Sequence, residues 1–129
     1  MKNRGFSLIE LVIVISIIGI TLGYAIIQSS GFIDGIKIKS AAQIVASDLR
    51  LAKSSAIASS SEKTIVFEKN RYSFLGKIRE LPVIILNPQT VIFSPSGMPK
   101  PGYFGTINLS LKKKNLSVVI SPAGRIRIQ

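Results

Sequence analysis

Between Leu11 and Ile27 the chain carries no charged residue, and its side chains there are almost all apolar. Counted from Phe6 to Ile27 the segment holds 22 residues. As a helix rising about 1.5 Å per residue it spans roughly 33 Å, enough to cross the hydrocarbon core of a bilayer. A membrane anchor is therefore predicted over residues 6–28, behind a basic leader, Met1-Lys2-Asn3-Arg4-Gly5, at residues 1–5. Positive charge beside a first helix stays cytoplasmic, so Lys2 and Arg4 predict a single-pass protein of the cytoplasmic (inner) membrane with its C-terminal part exported. An ordinary secretory signal is the alternative, but it needs a small-x-small cleavage site, and Ser29-Ser30-Gly31 matches one poorly.

One carboxylate, Glu10, stands at the mouth of the apolar run. A charge there costs several kcal/mol unless it is neutralised or paired, and the span offers no cation. A counter-charge would have to come from outside the span, on the same or a neighbouring chain. A glutamate that merely snorkels to the interface is the competing reading.

Arg4-Gly5-Phe6-Ser7-Leu8-Ile9-Glu10 resembles the cleavage signature of the type IV pilin family. The resemblance implies that a prepilin peptidase cuts between Gly5 and Phe6 and methylates the new Phe6 amine, which would be the nearest counter-charge to Glu10, on the same or a neighbouring chain. It also implies that Glu10 guides each subunit into register with other pilins or pseudopilins, at an inner-membrane assembly platform and in contact with membrane lipid.

A chain of 129 residues leaves about a hundred for one exported domain. Phe67, Tyr72, Phe74, Phe93, Tyr103 and Phe104 are its candidate large core groups, and with no cysteine it has no disulfide. The 17 Lys and Arg against 6 Asp and Glu give +11, and +9 without Lys2 and Arg4. That excess reads as a solvated surface, and it also favours polyanions such as nucleic acid or lipopolysaccharide, or acidic partner subunits.

Ile38, Ala41, Val45, Leu49, Ala52 and Ala56 recur at spacings of three and four, placing one apolar face on an amphipathic helix over residues 29–61, with the charges Lys39, Asp48, Arg50 and Lys53 mostly on the other, solvent-facing side. No proline interrupts Phe6 to Ser61, so one long, bent helix is expected rather than two joined at Ser29–Gly35, ending at Ser59-Ser60-Ser61. A β-rich head is predicted over residues 62–129. Its hairpins would be Thr64–Glu68 with Arg71–Leu75 around Lys69-Asn70, and Val83–Leu86 with Val91–Ser94 around Asn87-Pro88. A loop, Pro95–Gly105, leads to strands Thr106–Leu111, Leu116–Ser121 and Arg125–Gln129, joined by turns at Lys112–Asn115 and Pro122-Ala123-Gly124. Strict alternation in Thr106–Leu111 predicts a sheet with one buried face. The expected fold is α+β: a long N-terminal helix packed on an antiparallel β-sheet head, the pilin-like arrangement.

Within that family, Ala46–Ile57, Thr64–Phe67, Ile92–Gly97, Thr106–Leu109 and Gly124–Ile128 are similar to the GspH/FimT branch. This implies a minor pilin or pseudopilin, a structural subunit of a type II secretion pseudopilus or a type IV pilus. Gly124-Arg125-Ile126-Arg127 also resembles a Gly-Arg-x-Arg element associated with DNA capture. On a strand Arg125 and Arg127 point the same way, roughly 6 to 7 Å apart, with Ile126 and Ile128 toward the core. Two guanidinium groups so spaced suit successive phosphates, and Lys112, Lys113 and Lys114 would extend the patch. Arg and Lys on a strand also serve solubility and discourage edge pairing, and that reading stands beside the first.

Catalysis is not expected. With no histidine and no cysteine the chain lacks the usual base, thiol nucleophile and transition-metal ligands. Asp34, Asp48, Glu62, Glu68 and Glu80 are scattered without metal-loop spacing, and no phosphate-binding glycine loop is present. No cofactor or metal is predicted.

Overall fold

The computed structural model describes residues 6–129, apart from the side chains of residues 25–30. The leader, Gly5 included, lies outside the described residues. The chain divides into two compact units, one ending at Ile33 and the other comprising Asp34–Gln129. One helix, α1 (Leu8–Ala58), contributes to both. It starts two residues later than expected, with Phe6 and Ser7 ahead of its first turn.

Eight strands follow: β1 (Lys63–Phe67), β2 (Arg71–Phe74), β3 (Lys77–Glu80), β4 (Ile84–Ile85), β5 (Thr90–Phe93), β6 (Gly105–Leu111), β7 (Lys114–Ile120) and β8 (Ile126–Ile128). They form two four-stranded antiparallel sheets, in the orders β3-β2-β1-β5 and β4-β6-β7-β8. The fold class is thus α+β as expected, with two sheets in place of one.

The first hairpin forms around Lys69-Asn70, with Ile65 opposite Phe74. The second does not. Ile84 and Ile85 pair with Ser110 and Leu109 of β6, whereas β5 pairs with β1. Asn87, expected in a tight turn, spends its side chain on β6 instead: its amide donates to the Thr106 carbonyl, and its Oδ1 accepts from Asn108 N at 2.7 Å. Two residues on, the Gln89 carbonyl accepts from Phe67 N on β1, so Asn87-Pro88 carries the chain from one sheet to the other. Strand β3 was not foreseen. Leu75 and Gly76 both take positive φ (47° and 76°), the geometry of a two-residue hairpin turn, without the usual Asn-Gly sequence.

The helix face foreseen from spacing is the buried one. Ile38, Ala41, Val45, Leu49, Ala52 and Ala56, joined by Ala42 and Ala46, are almost wholly excluded from solvent. So many alanines on one face let the backbone approach the sheets closely. From the strands come Ile65, Phe67, Tyr72, Phe74, Val91, Phe93, Ile107, Leu109, Val118 and Ile120, alternating inward with period two and closing one hydrophobic core. Two expectations are corrected. Tyr103 and Phe104 lie exposed in the loop before β6, and Asp48, grouped with the solvent-facing charges, is buried.

Burial of Asp48 is compensated. The Tyr72 hydroxyl donates to its Oδ2 at 2.5 Å, and Arg79 Nε lies 3.4 Å from the same oxygen. Burial raises the Tyr72 pKa well above the ordinary tyrosine value, and the hydrogen bond to the Asp48 carboxylate adds to the shift, with Arg79 opposing.

Candidate functional site

Two regions carry the predicted site residues. The first is the start of α1. Ser7 precedes the first helical residue, and its carbonyl accepts from Glu10 N and Leu11 N at 3.0 and 3.2 Å. Glu10 is the third residue of the helix, so Ser7 and Glu10 stand at its N-cap and N3 positions, with the sequence spacing of a capping box. The Ser-x-x-Glu spacing is a helix-start signal present in the sequence itself. It gives the carboxylate a favourable place at the positive end of the helix dipole, beside any amine that a cut before Phe6 would supply.

Beyond Glu10 the helix is apolar on every side. Leu11, Val12, Ile13, Val14, Ile15, Ile17, Ile18, Ile20 and Leu22 are all exposed. The two hydroxyls in this run turn back onto the helix. Ser16 Oγ donates to the Val12 carbonyl at 2.7 Å, and Thr21 Oγ1 reaches the Ile17 and Ile18 carbonyls at 2.9 Å. The surface therefore presents hydrocarbon with its polar atoms already satisfied, which suits lipid or other apolar helices rather than water.

Among the described residues no helix is long and apolar enough to cross a membrane. From Leu8 to Tyr24 there are 17 residues with described side chains. As a helix they cover about 26 Å, short of the roughly 30 Å of a bilayer core. The expected span of residues 6–28 thus runs past the described side chains.

The second region is the basic C-terminal strand. β8 pairs with β7 so that Arg127 lies opposite Val119 and Ile126 opposite Ile120. Arg125 and Arg127 are both exposed, and with Val119, Ser121, Ala123 and Gln129 they line a depression of about 360 Å³ that contains no acid. Ile126 packs against the core; Ile128, on the edge strand of its sheet, is exposed.

Lys112 and Lys113 form the two-residue turn between β6 and β7, and Lys114 opens β7. Val119, the partner of Arg127, is five residues along that strand from Lys114. The two basic groups are therefore about 17 Å apart along β7, and the structure does not bring them together. Lys112 is committed elsewhere: its Nζ lies 2.7 Å from Asp34 Oδ2 on α1.

The helix supplies two cations that sequence reasoning missed. Lys53 Nζ donates to the Gly124 carbonyl at 3.0 Å, and Arg50 Nη2 to the Ile126 carbonyl at 3.5 Å. Position 124 has to be glycine. Its φ is +71°, and a Cβ there would lie 2.9 Å from the Gly97 carbonyl oxygen and 3.2 Å from Lys53 Nζ.

Residues 1–26 match the model of the prokaryotic N-terminal methylation motif. No curated protein and no solved structure matches the chain. The motif is the type IV pilin-like prepilin signal. It supports a pilin or pseudopilin subunit that is processed by prepilin peptidase, methylated, and held to the membrane by its N-terminus.

Proposed function

We propose that the protein is a minor pilin or pseudopilin of the GspH/FimT type, a non-catalytic structural subunit of a type II secretion pseudopilus or a type IV pilus. Prepilin peptidase cuts between Gly5 and Phe6, and the Phe6 amine is methylated. The mature chain waits in the cytoplasmic membrane, anchored by residues 6–28, with the amphipathic half of the helix (29–61) and the β-rich head (62–129) exported. It is then drawn into the filament by an assembly platform, with Glu10 set against the Phe6 amine of a neighbour. The observation that carries this reading is the all-round apolar surface from Leu11 to Leu22, its hydroxyls self-satisfied, directly behind a lone carboxylate in the first helical turn.

The test follows the full-length chain through maturation in cells that carry the peptidase and a filament. Mass spectrometry should find a methylated Phe6 terminus in both the native chain and Glu10→Ala, while Glu10→Ala enters sheared filaments poorly. Normal incorporation of Glu10→Ala would remove charge pairing from the mechanism, and an intact Met1 in the native chain would remove the whole reading.

A second reading is favoured by one observation. Arg125 and Arg127 stand exposed and side by side around an acid-free depression. In this role the subunit also captures DNA through its phosphates, without reading sequence and with strong dependence on salt.

A further inference from the structure

We propose that α1 supplies half of the polyanion site, with Arg50 as a third phosphate-contacting guanidinium and Lys53 as the residue that positions Arg125; this rests on the DNA-capture reading above. The geometry begins with spacing. Arg50 and Lys53 are three apart and share a helix face, while Gly124 and Ile126, whose carbonyls they reach, are two apart, in the β7–β8 turn and at the first residue of β8. The helix therefore grips the segment on either side of Arg125, and the Arg50 guanidinium touches the carbonyl of the residue between Arg125 and Arg127.

The two helix cations differ in what remains of their bonding capacity. Lys53 is partly buried, and its bond to Gly124, of ordinary length, lies where the β7–β8 turn is pressed against the Ser94–Met98 loop, the contact that forbids a Cβ at position 124. Arg50 is exposed and its bond to Ile126 is at the long limit, engaging one of the five N–H groups that a guanidinium carries. A phosphate placed between Arg125 and Arg127 can draw it away at little cost.

Charge points the same way. The four ion pairs among the described residues take up Arg71, Arg79, Lys100 and Lys112, and none involves Arg50, Lys53, Arg125 or Arg127. Arg50 and Lys53 thus bind backbone carbonyls, not carboxylates, in the segment that carries Arg125 and Arg127.

The test uses the full mature chain in detergent micelles and fluorescence anisotropy of a labelled mixed-sequence DNA duplex, titrated between about 50 and 200 mM salt. Arg125→Ala/Arg127→Ala should abolish binding. Arg50→Ala should weaken it about three- to tenfold and make the log–log salt slope shallower by about 0.9, one phosphate contact, with its melting temperature unchanged. Lys53→Met should weaken binding in the native background but add nothing to Arg125→Ala, and Lys53→Arg should restore it. If the native chain binds and the Arg125/Arg127 pair is needed, yet Arg50→Ala keeps affinity and slope, the site ends at β8 and the inference is overturned. If the native chain binds no DNA, the capture reading itself fails and takes the inference with it.

Discussion

Leu8–Tyr24 and Ile38–Ala56 belong to one helix and obey opposite rules. In the first stretch every described side chain is exposed and nearly all are large and apolar, so nothing distinguishes one face from another. In the second, the buried face is mostly alanine and the exposed face carries Lys39, Gln43, Ser47, Arg50 and Ser54. Helical periodicity is informative only where a helix lies between two environments. A segment apolar all round signals a single surrounding medium that is itself apolar, while a segment with one apolar stripe signals a protein core on that side. The contrast teaches that one continuous backbone element is written for two solvents, and that its stability is supplied from the head in one half only.

The sharpest way to break this comparison is to truncate one large residue in each half. Leu49 is wholly buried, so Leu49→Ala should cost the head about 2 to 5 kcal/mol, read as a fall in melting temperature. Ile15 is exposed, so Ile15→Ala should leave that transition within about 0.5 kcal/mol of the native value. Its effect should appear instead as weaker retention in membranes or filaments. Equal destabilisation of the head by both would mean that the first stretch packs on protein after all.

A smaller effect tests how the packed half tolerates its one buried charge. Tyr72→Phe removes the hydroxyl that binds Asp48 and leaves the buried carboxylate with Arg79, at a cost of about 1.5 to 3 kcal/mol. The raised Tyr72 pKa adds a signature in pH. The folded state holds this proton more tightly than the unfolded chain, so the associated stability is complete below the ordinary tyrosine value of 10.0 and declines as pH rises above it. Denaturant titrations across that range should show a loss of stability in the native chain that is reduced in Tyr72→Phe. Parallel pH profiles for the two proteins would remove Tyr72 as its source.

How much of this was legible without coordinates follows from the same physics. Ile38 to Ala56 could be read because three- and four-residue spacing survives in any helix with a core on one side, and Thr106–Leu111 because alternation survives in any half-buried strand. The lone charge at the mouth of the apolar run stood out for a different reason: a carboxylate there is costly wherever it occurs. What failed was decided at a distance. Asn87-Pro88 looks like a local turn, but the Asn87 amide has partners on β6, twenty residues downstream, and no local rule weighs those. Asp48 looked like a surface charge because its compensation comes from Tyr72 and Arg79 on another layer. Arg50 and Lys53 were hidden similarly, since they bind backbone carbonyls more than seventy residues away, and carbonyls leave no trace in a sequence. The turn at Leu75-Gly76 and strand β3 were missed because leucine rarely takes positive φ.

The smallest effect probes the point where the packed half begins. Asp34 is the first residue of the head unit, and Lys112 reaches it from the β6–β7 turn with φ at +55°, a region that a lysine backbone enters at a cost of about 1 kcal/mol. The ion pair is largely open to solvent on the lysine side and contributes less than about 1 kcal/mol. Two substitutions separate these terms. Lys112→Ala loses the pair and keeps the backbone cost, so it should lower stability slightly. Lys112→Gly loses the same pair but relieves the backbone, and should be more stable than Lys112→Ala by about 1 kcal/mol in denaturant melts. Equal stability of the two variants would show that the turn relaxes without the lysine, and that the Asp34 contact is what draws Lys112 into positive φ.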